Sequence, residues 1–477
     1  MKKNILFFVL TIALFGMFNP KSDVFAQDNP SLYFSKHPHA GSYNPAFMSN
    51  HKFYLYALGR ISLGFRTSGF DWNDLINETP GNSDSLRMDV NGFLNKLKEN
   101  NNLSSDIGLD IAGIGFKIAR NYFSLGVSLN LESKFKLPLS FVDFLFNGAE
   151  SGNHNLAFND NLFNAVAYTT AYAGYAREIT DRLTVGIKFK MYNGILNIHT
   201  NKAVTSFATN SKNTLYGDVD IDMSFFFGKF NVVSSSPDQT DNLEFETEDD
   251  IVESLKKIKD NKGYGLDIGA VYRLNDNMEI SASVIDFGKI TWKTNAVKMY
   301  TRNPDRGVKF SGIDTDYEEI KDDIGGYFNN IGDSLKDAFD LTAEDIDKYT
   351  TNIPTKVYIG YSWQFVPHLY LQALYNARFI SSDFESSLSL NLALMTNFFS
   401  LSVGNTIKYT MFNPNVMLSL GNVFLGASFS SFAPKKADGL SIYMGWSLGF
   451  KNKKKPLPLK INDNPDDGSE LSFLEIK

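Results

Sequence analysis

The sequence predicts an all-β protein, a transmembrane antiparallel β-barrel of about fourteen strands with helical insertions in its long loops. Three observations predict it. Apolar and polar side chains alternate strictly over runs of 9 to 11 residues. Soluble strands usually hold about 5–6 residues, whereas tilted membrane strands need about 9–11. These runs are joined by tight turns on one side and longer loops on the other, and beyond residue 26 no apolar window is long enough for a helical span.

Composition narrows the class further. Of 477 residues, 41 are Phe, 22 Tyr and 4 Trp, and the apolar share is 43%. That is ample for a core and argues against disorder as the main state. The net charge is -7, and the longest basic run is Lys453–Lys455, so a nucleic-acid partner is excluded. There is no cysteine, hence no disulfide framework, thiol nucleophile, Cys-ligated zinc or lipoprotein anchor.

Met1, Lys2 and Lys3 form a short positive region ahead of the apolar stretch from Ile5 to Phe18, and Val24 and Ala26 occupy the small-residue positions before Gln27. This is the layout of a secretory signal peptide over 1–26, cleaved between Ala26 and Gln27. The stretch falls short of the roughly 20 residues that span a bilayer. The exported chain is expected in the outer membrane of a Gram-negative bacterium, in contact with its lipid. Residues 27–51 show no alternation and include Asn44-Pro45-Ala46. They read as an N-terminal plug or a periplasmic lead. Residues 52–450 read as the barrel and 451–477 as a polar periplasmic tail.

Within the barrel, Leu183, Val185, Ile187, Phe189 and Met191 oppose Thr184, Gly186, Lys188 and Lys190. Val357 to Phe365 and Leu440 to Phe450 repeat the pattern. Tight turns are expected at Arg120-Asn121, Thr180-Asp181-Arg182, Asn275-Asp276-Asn277, Val366-Pro367-His368, Thr396-Asn397 and Gly421-Asn422. Longer connections fall at roughly 67–106, 136–161, 200–262, 296–354, 381–383, 411–414 and 432–438. Thr214 to Phe230 also looks strand-like; counting it in the barrel breaks the even parity, so it belongs to the third loop as an extension.

A lysine on the lipid side at the midplane costs about 2–4 kcal/mol. Lys188 and Lys190 therefore face the lumen, as do Asp267 and Arg273, opposite Leu266, Ile268, Ala270 and Tyr272. Gly186, Gly360 and Gly445 on the inward face are expected to leave room inside. Tyr122 and Phe123, Trp363 and Phe365, and Phe398 and Phe399 are expected in an interfacial aromatic girdle. Three loops carry helical stripes: Leu86 to Leu97, the stretch after a capping box at Thr247 and Asp250, and Asp316 to Asp340.

Chemistry is sparse. His37, His39 and His51 lie close in sequence, but no carboxylate or thiol is spaced with them as a metal site requires. No Gly-x-Ser-x-Gly elbow, phosphate-binding loop or His-Glu-x-x-His occurs. No cofactor and no metal are expected, and the chain reads as a non-enzyme.

Several ordered motifs resemble a Bacteroidota outer-membrane family known only as domain of unknown function 5723. They are Ser31-Leu-Tyr-Phe, Tyr43-Asn-Pro-Ala-Phe47, Arg120-Asn-Tyr-Phe-Ser124 with Leu137-Pro138, Ile179 to Gly186, and Ser283-Val-Ile-Asp-Phe-Gly288 ahead of Ile290-Thr-Trp292. The resemblance runs over roughly 30–450 and implies a barrel without a settled activity. The early Asn-Pro-Ala also resembles the start of FadL-type fatty-acid transporters, which implies fourteen strands and an N-terminal hatch.

The expected function is passive transport of small molecules, hydrophobic ones among them, with Asn44, Pro45 and Ala46 in the hatch and Lys188, Lys190, Asp267 and Arg273 in the lumen. The alternative is a non-transporting surface scaffold whose loops 200–262 and 296–354 bind a secretion-system component or another envelope protein.

Overall fold

The computed structural model describes residues 29–35, 37–49, 51–68, 76–79, 82–88, 90–139, 142–143, 155–158, 162–208, 214–233, 242–247, 258–305, 308–309, 340–380, 383–408, 411–429 and 439–451. Fourteen antiparallel strands close into one barrel. They are β1 (His51–Ser68), β2 (Asn100–Ile118), β3 (Asn121–Pro138), β4 (Phe163–Glu178), β5 (Leu183–Ala208), β6 (Lys262–Asn275) and β7 (Met278–Trp292). The circuit continues through β8 (Thr355–Val366), β9 (Leu369–Ile380), β10 (Asp383–Met395), β11 (Phe399–Lys408), β12 (Met411–Leu420) and β13 (Val423–Phe429). The last, β14, is Gly439–Trp446, carried past Ser447 by Leu448–Lys451. β14 pairs back onto β1, with Leu440 opposite Phe65 and Leu448 opposite Leu55. Closure removes the sheet edges, whose unpaired backbone groups a hydrocarbon phase would not tolerate.

The predicted parity holds. Six turns at one end fall within a residue of their expected places, and seven longer connections lie at the other. Three of these hairpins turn through left-handed backbone, at Ala119 (φ 53°), His368 (φ 68°) and Gly421 (φ 59°). Only Gly421 does so without a side-chain penalty.

Strand length departs from expectation: β5 has 26 residues and β13 has 7. The excess in β5 runs on beyond the barrel wall and pairs with Thr214–Phe225, Leu196 opposite Phe225 and Ala208 opposite Thr214. That strand pairs in turn with Ala296–Thr301, which pairs with Leu341–Asp345. Thr214–Phe225 is thus an extension outside the barrel, and loops 200–262 and 296–354 share one sheet.

Period two sorts the two faces. Ile187 (45% exposed), Phe189 (54%) and Ile268 (54%) point outward, while Lys188, Lys190 and Asp267 between them are buried. Exposed Leu, Ile, Val and Phe continue on strands around the barrel, among them Leu63, Leu125, Leu392 and Leu425. Such a belt is far larger than the apolar patches water-soluble monomers carry, and acyl chains are its natural solvent.

At the short-turn end Phe116, Phe123 and Tyr175 form a row with ring centroids 5.2 Å apart, and Trp363 packs on Phe365 at 5.8 Å. Tyr122 is a correction to the expected girdle. Being one residue from Phe123 it faces the other way, and it is buried beside Tyr54, Tyr56 and Ala176.

The loops correct a second reading. Leu86 lies in a strand, Asn82–Met88, that pairs with Ile76–Thr79, and only Val90–Lys96 is helical. Thr247 ends the strand Asn242–Thr247. Asp250 and most of the stripe from Asp316 to Asp340 lie outside the described residues, as do the signal-peptide positions including Ala26 and Gln27, and the tail beyond Lys451.

Candidate functional site

Residues 29–35 and 37–49 lie inside the barrel. Pro30 and Pro38 start two one-turn helices, Pro30–Tyr33 and Pro38–Ser42; proline at a first turn gives up an amide hydrogen bond that the turn would not make. The segment is tied to the wall all round. The Ser31 hydroxyl lies 2.9 Å from Ser402 Oγ and 3.0 Å from Asn415 Oδ1. The Tyr33 hydroxyl meets Ser281 at 2.9 Å and His37 meets Ser419 at 2.7 Å. His39 places Nδ1 2.7 Å from Asp110, with Nε2 3.1 Å from the carbonyl of Trp446. Apolar contacts add grip: Leu32 packs on Met417, Phe424 and Tyr443, and Tyr33 packs on Ile285, Tyr358 and Leu374.

Asn44, Pro45 and Ala46 form the turn of this hatch. The Asn44 amide donates to the carbonyls of Ala270 and Ala282 at 3.3 and 3.2 Å, while its oxygen accepts the Ala46 N–H at 2.9 Å. The wall is shaped for the turn. A Cβ at Gly186 would strike the backbone of Pro45 and Ala46, and one at Gly269 would strike Asn44. A Cβ at Gly360 would likewise come within 2.6 Å of the Tyr33 ring. The inward glycines Gly186 and Gly360 therefore do not leave open space. They are seats for the hatch, because a backbone can approach only where no Cβ stands.

Lys188 donates to the carbonyl of Gly41 at 2.5 Å and stands 4.6 Å over the Tyr172 ring. Lys190 lies between Asp267 at 2.9 Å and Asp286 at 2.6 Å. A bulge sets this trio: Asp267 faces both Ile285 and Asp286, the latter at a left-handed φ of 60°, and the Asp267 carboxylate accepts the Asp286 N–H at 2.8 Å. Arg273 shares the inward face and sits at the short-turn rim, with 58% of its side chain exposed, 3.8 Å from Glu279.

Above the hatch the ion pairs cross the bore. Lys356 on β8 is 3.0 Å from Glu132 on β3 and 3.8 Å from Asp286. Arg378 on β9 contacts Glu132 and lies 3.5 Å from Asp106 on β2. Lys134 on β3 is 3.4 Å from Glu385 on β10. In a ring of fourteen, β2 and β9 stand opposite each other, as do β3 and β10. All these side chains are four-fifths or more buried. Breaking such a buried pair from one side costs about 3–5 kcal/mol.

A cavity of about 120 Å³ lies under these struts, bordered by Tyr43 of the hatch and by Arg60, Asp106, Glu132, Lys190 and Arg378. A second, of about 320 Å³, opens at the short-turn end, between Tyr33, Phe34, Phe47 and Met48 of the hatch and Arg273 and Glu279 of the rim. The hatch stands between them. No grouping of His, Asp and Glu suited to a metal occurs among the described residues. His37, His39 and His51 each bind a different wall partner, His51 at 3.1 Å from Asn422.

Sequence reasoning passed over Arg378, Glu132, Asp106, Lys356, Asp286, Arg60 and Asp110, and weighed His39 only as a metal ligand, whereas it meets Asp110 at 2.7 Å with Arg60 3.1 Å from the same carboxylate. Each lies on the polar face of an alternating run or beside it. A register of inward charges would have named them, but not their partners.

A closed fourteen-strand barrel with an apolar belt, a charged interior and a segment lodged in its bore is an outer-membrane β-barrel with its N-terminal segment inside it. The chain belongs to the family of unknown function DUF5723, whose profile matches residues 45–428. No curated protein matches the sequence. Among solved structures, the toluene transporter TbuX of Ralstonia pickettii is similar at 11% identity over 91% of this chain and 97% of that one, with a TM-score of 0.42. A FadL homologue of Pseudomonas aeruginosa is similar at 10% identity, 90% and 99% coverage and a TM-score of 0.39. The toluene transporter TodX of P. putida gives 10%, 92%, 97% and 0.38.

Proposed function

We propose that the protein is a passive, hatch-gated channel for small solutes in the outer membrane. The observation that supports this best is the seat of residues 29–49, held by hydrogen bonds and ring contacts with a cavity on each side. Each such bond is worth about 0.5–1.5 kcal/mol, and about 1.5–3 where one group is charged. Water or a solute can replace them one by one. In this reading Asn44, Pro45 and Ala46 form the hatch's turn, Lys188 is its latch, Lys190 and Asp267 brace the wall, and Arg273 marks the periplasmic mouth. Swelling of liposomes carrying the purified barrel tests it, with sugars and amino acids in one arm and uptake of a small hydrophobic probe in the other. Solute entry in either arm, raised by Lys188→Met, is the expected outcome. No entry in either arm, for wild type and variant alike, would remove the proposal.

One observation favours a second reading as a surface scaffold. Loops 200–262 and 296–354 share a sheet beyond the barrel, in which Asp220 pairs with Lys298 at 3.0 Å. An envelope protein could dock on it. Crosslinking in whole cells followed by purification would recover that partner from wild type and lose it when both loops are shortened.

A further inference from the structure

The ion pairs over the upper cavity join walls that the sheet itself holds apart. Arg378 reaches from β9 to Glu132 and Asp106, and Lys134 reaches from β3 to Glu385. These pairs stand between the loop end and the hatch, in the way of a solute that moves down the bore. Resting on the channel reading above, we infer that the solutes admitted are small zwitterions, molecules carrying a carboxylate and an ammonium group on one short frame.

Drawing Arg378 away from Glu132 and Asp106 separates a guanidinium from two carboxylates, of which Glu132 keeps Lys356 at 3.0 Å, in a buried setting where losing a charge partner is costly. An uncharged solute offers only dipoles to both sides. A lone anion satisfies Arg378 but is repelled by Glu132 and Asp106, and a lone cation meets the reverse problem. A zwitterion meets both walls at once: its carboxylate fits the planar fork of Arg378, and its ammonium takes the place that fork vacates against Glu132 and Asp106. The lining of the cavity is balanced to match, with five cationic and five anionic side chains. It therefore has no single-sign field that would steer simple anions or cations.

Liposome swelling by the full barrel with two probes of similar size tests this. They are alanyl-alanine, a zwitterion, and N-acetylalanine N-methylamide, which is uncharged. Wild type is expected to admit the dipeptide at least about fivefold faster. Removing the strut charges together (Asp106→Asn, Glu132→Gln and Arg378→Gln) is expected to bring the ratio near one, in a barrel whose folding is checked by heat-modifiable mobility. Arg378→Lys, a milder change that keeps the charge and loses the fork, is expected to slow the dipeptide relative to the diamide and so lower the ratio. Equal entry of both probes in wild type, or a ratio that survives in the neutralised variant, overturns the inference and leaves the channel standing. Exclusion of both probes from wild type and the Lys188→Met variant overturns the inference, and the channel reading falls with it only where the hydrophobic probe and the sugars and amino acids are excluded too.

Discussion

Arg378 on β9 meets Glu132 on β3, six strands away in a ring of fourteen, so one guanidinium ties walls that no backbone hydrogen bond joins. The barrel is thus braced across its interior as well as around its circumference. Arg378→Ala leaves Glu132 and Asp106 buried without that cation and is expected to lower stability by about 3–5 kcal/mol. Lys202→Ala breaks a pair with Asp218 in which the lysine is half exposed, and is expected to cost under about 1 kcal/mol. Urea unfolding of the two variants in lipid vesicles measures the difference; equal midpoints would contradict a structural brace.

Gly186 gives the hatch turn its seat. Gly186→Leu puts a side chain where the backbone of Pro45 and Ala46 now lies, and overpacking of this kind costs about 1–3 kcal/mol. The barrel wall is paired throughout and the hatch is not, so the hatch is expected to yield. Proteolysis of the barrel in detergent, with fragments read by mass, should cut within residues 29–49 of the variant and spare the wild type.

The alternation on β5 assigns Phe189 to lipid and Lys190 to the interior. Phe189→Lys is expected to cost about 2–4 kcal/mol if that position lies near the midplane. A refolding yield in vesicles unchanged from wild type would place Phe189 away from the hydrocarbon.

The barrel was legible in the sequence because its signal is local. Leu183 to Met191 alternates whatever its neighbours do, and each turn carries its own residues. Tyr122 was misplaced only because its side chain was grouped with Phe123 by position and not by parity. The seat of the hatch was not legible, since residues 29–49 have no period to read. Gly186 and Gly360 looked like open space because a missing side chain and a seat for another segment leave the same mark in a sequence. The struts were hidden for a different reason. Glu132 and Arg378 are 246 residues apart, and their meeting depends on the closure of the whole ring.

The central claim is that residues 29–49 govern passage through the bore. The chain has no cysteine, and Ser31 and Ser402 place their hydroxyls 2.9 Å apart. The paired change Ser31→Cys with Ser402→Cys therefore offers a single lock between hatch and wall. Solute entry into liposomes is to be followed with the lock oxidised and again after reduction. Entry suppressed by oxidation and restored by reduction is the predicted result. Equal entry in both states, with the disulfide verified by mass, would contradict the account.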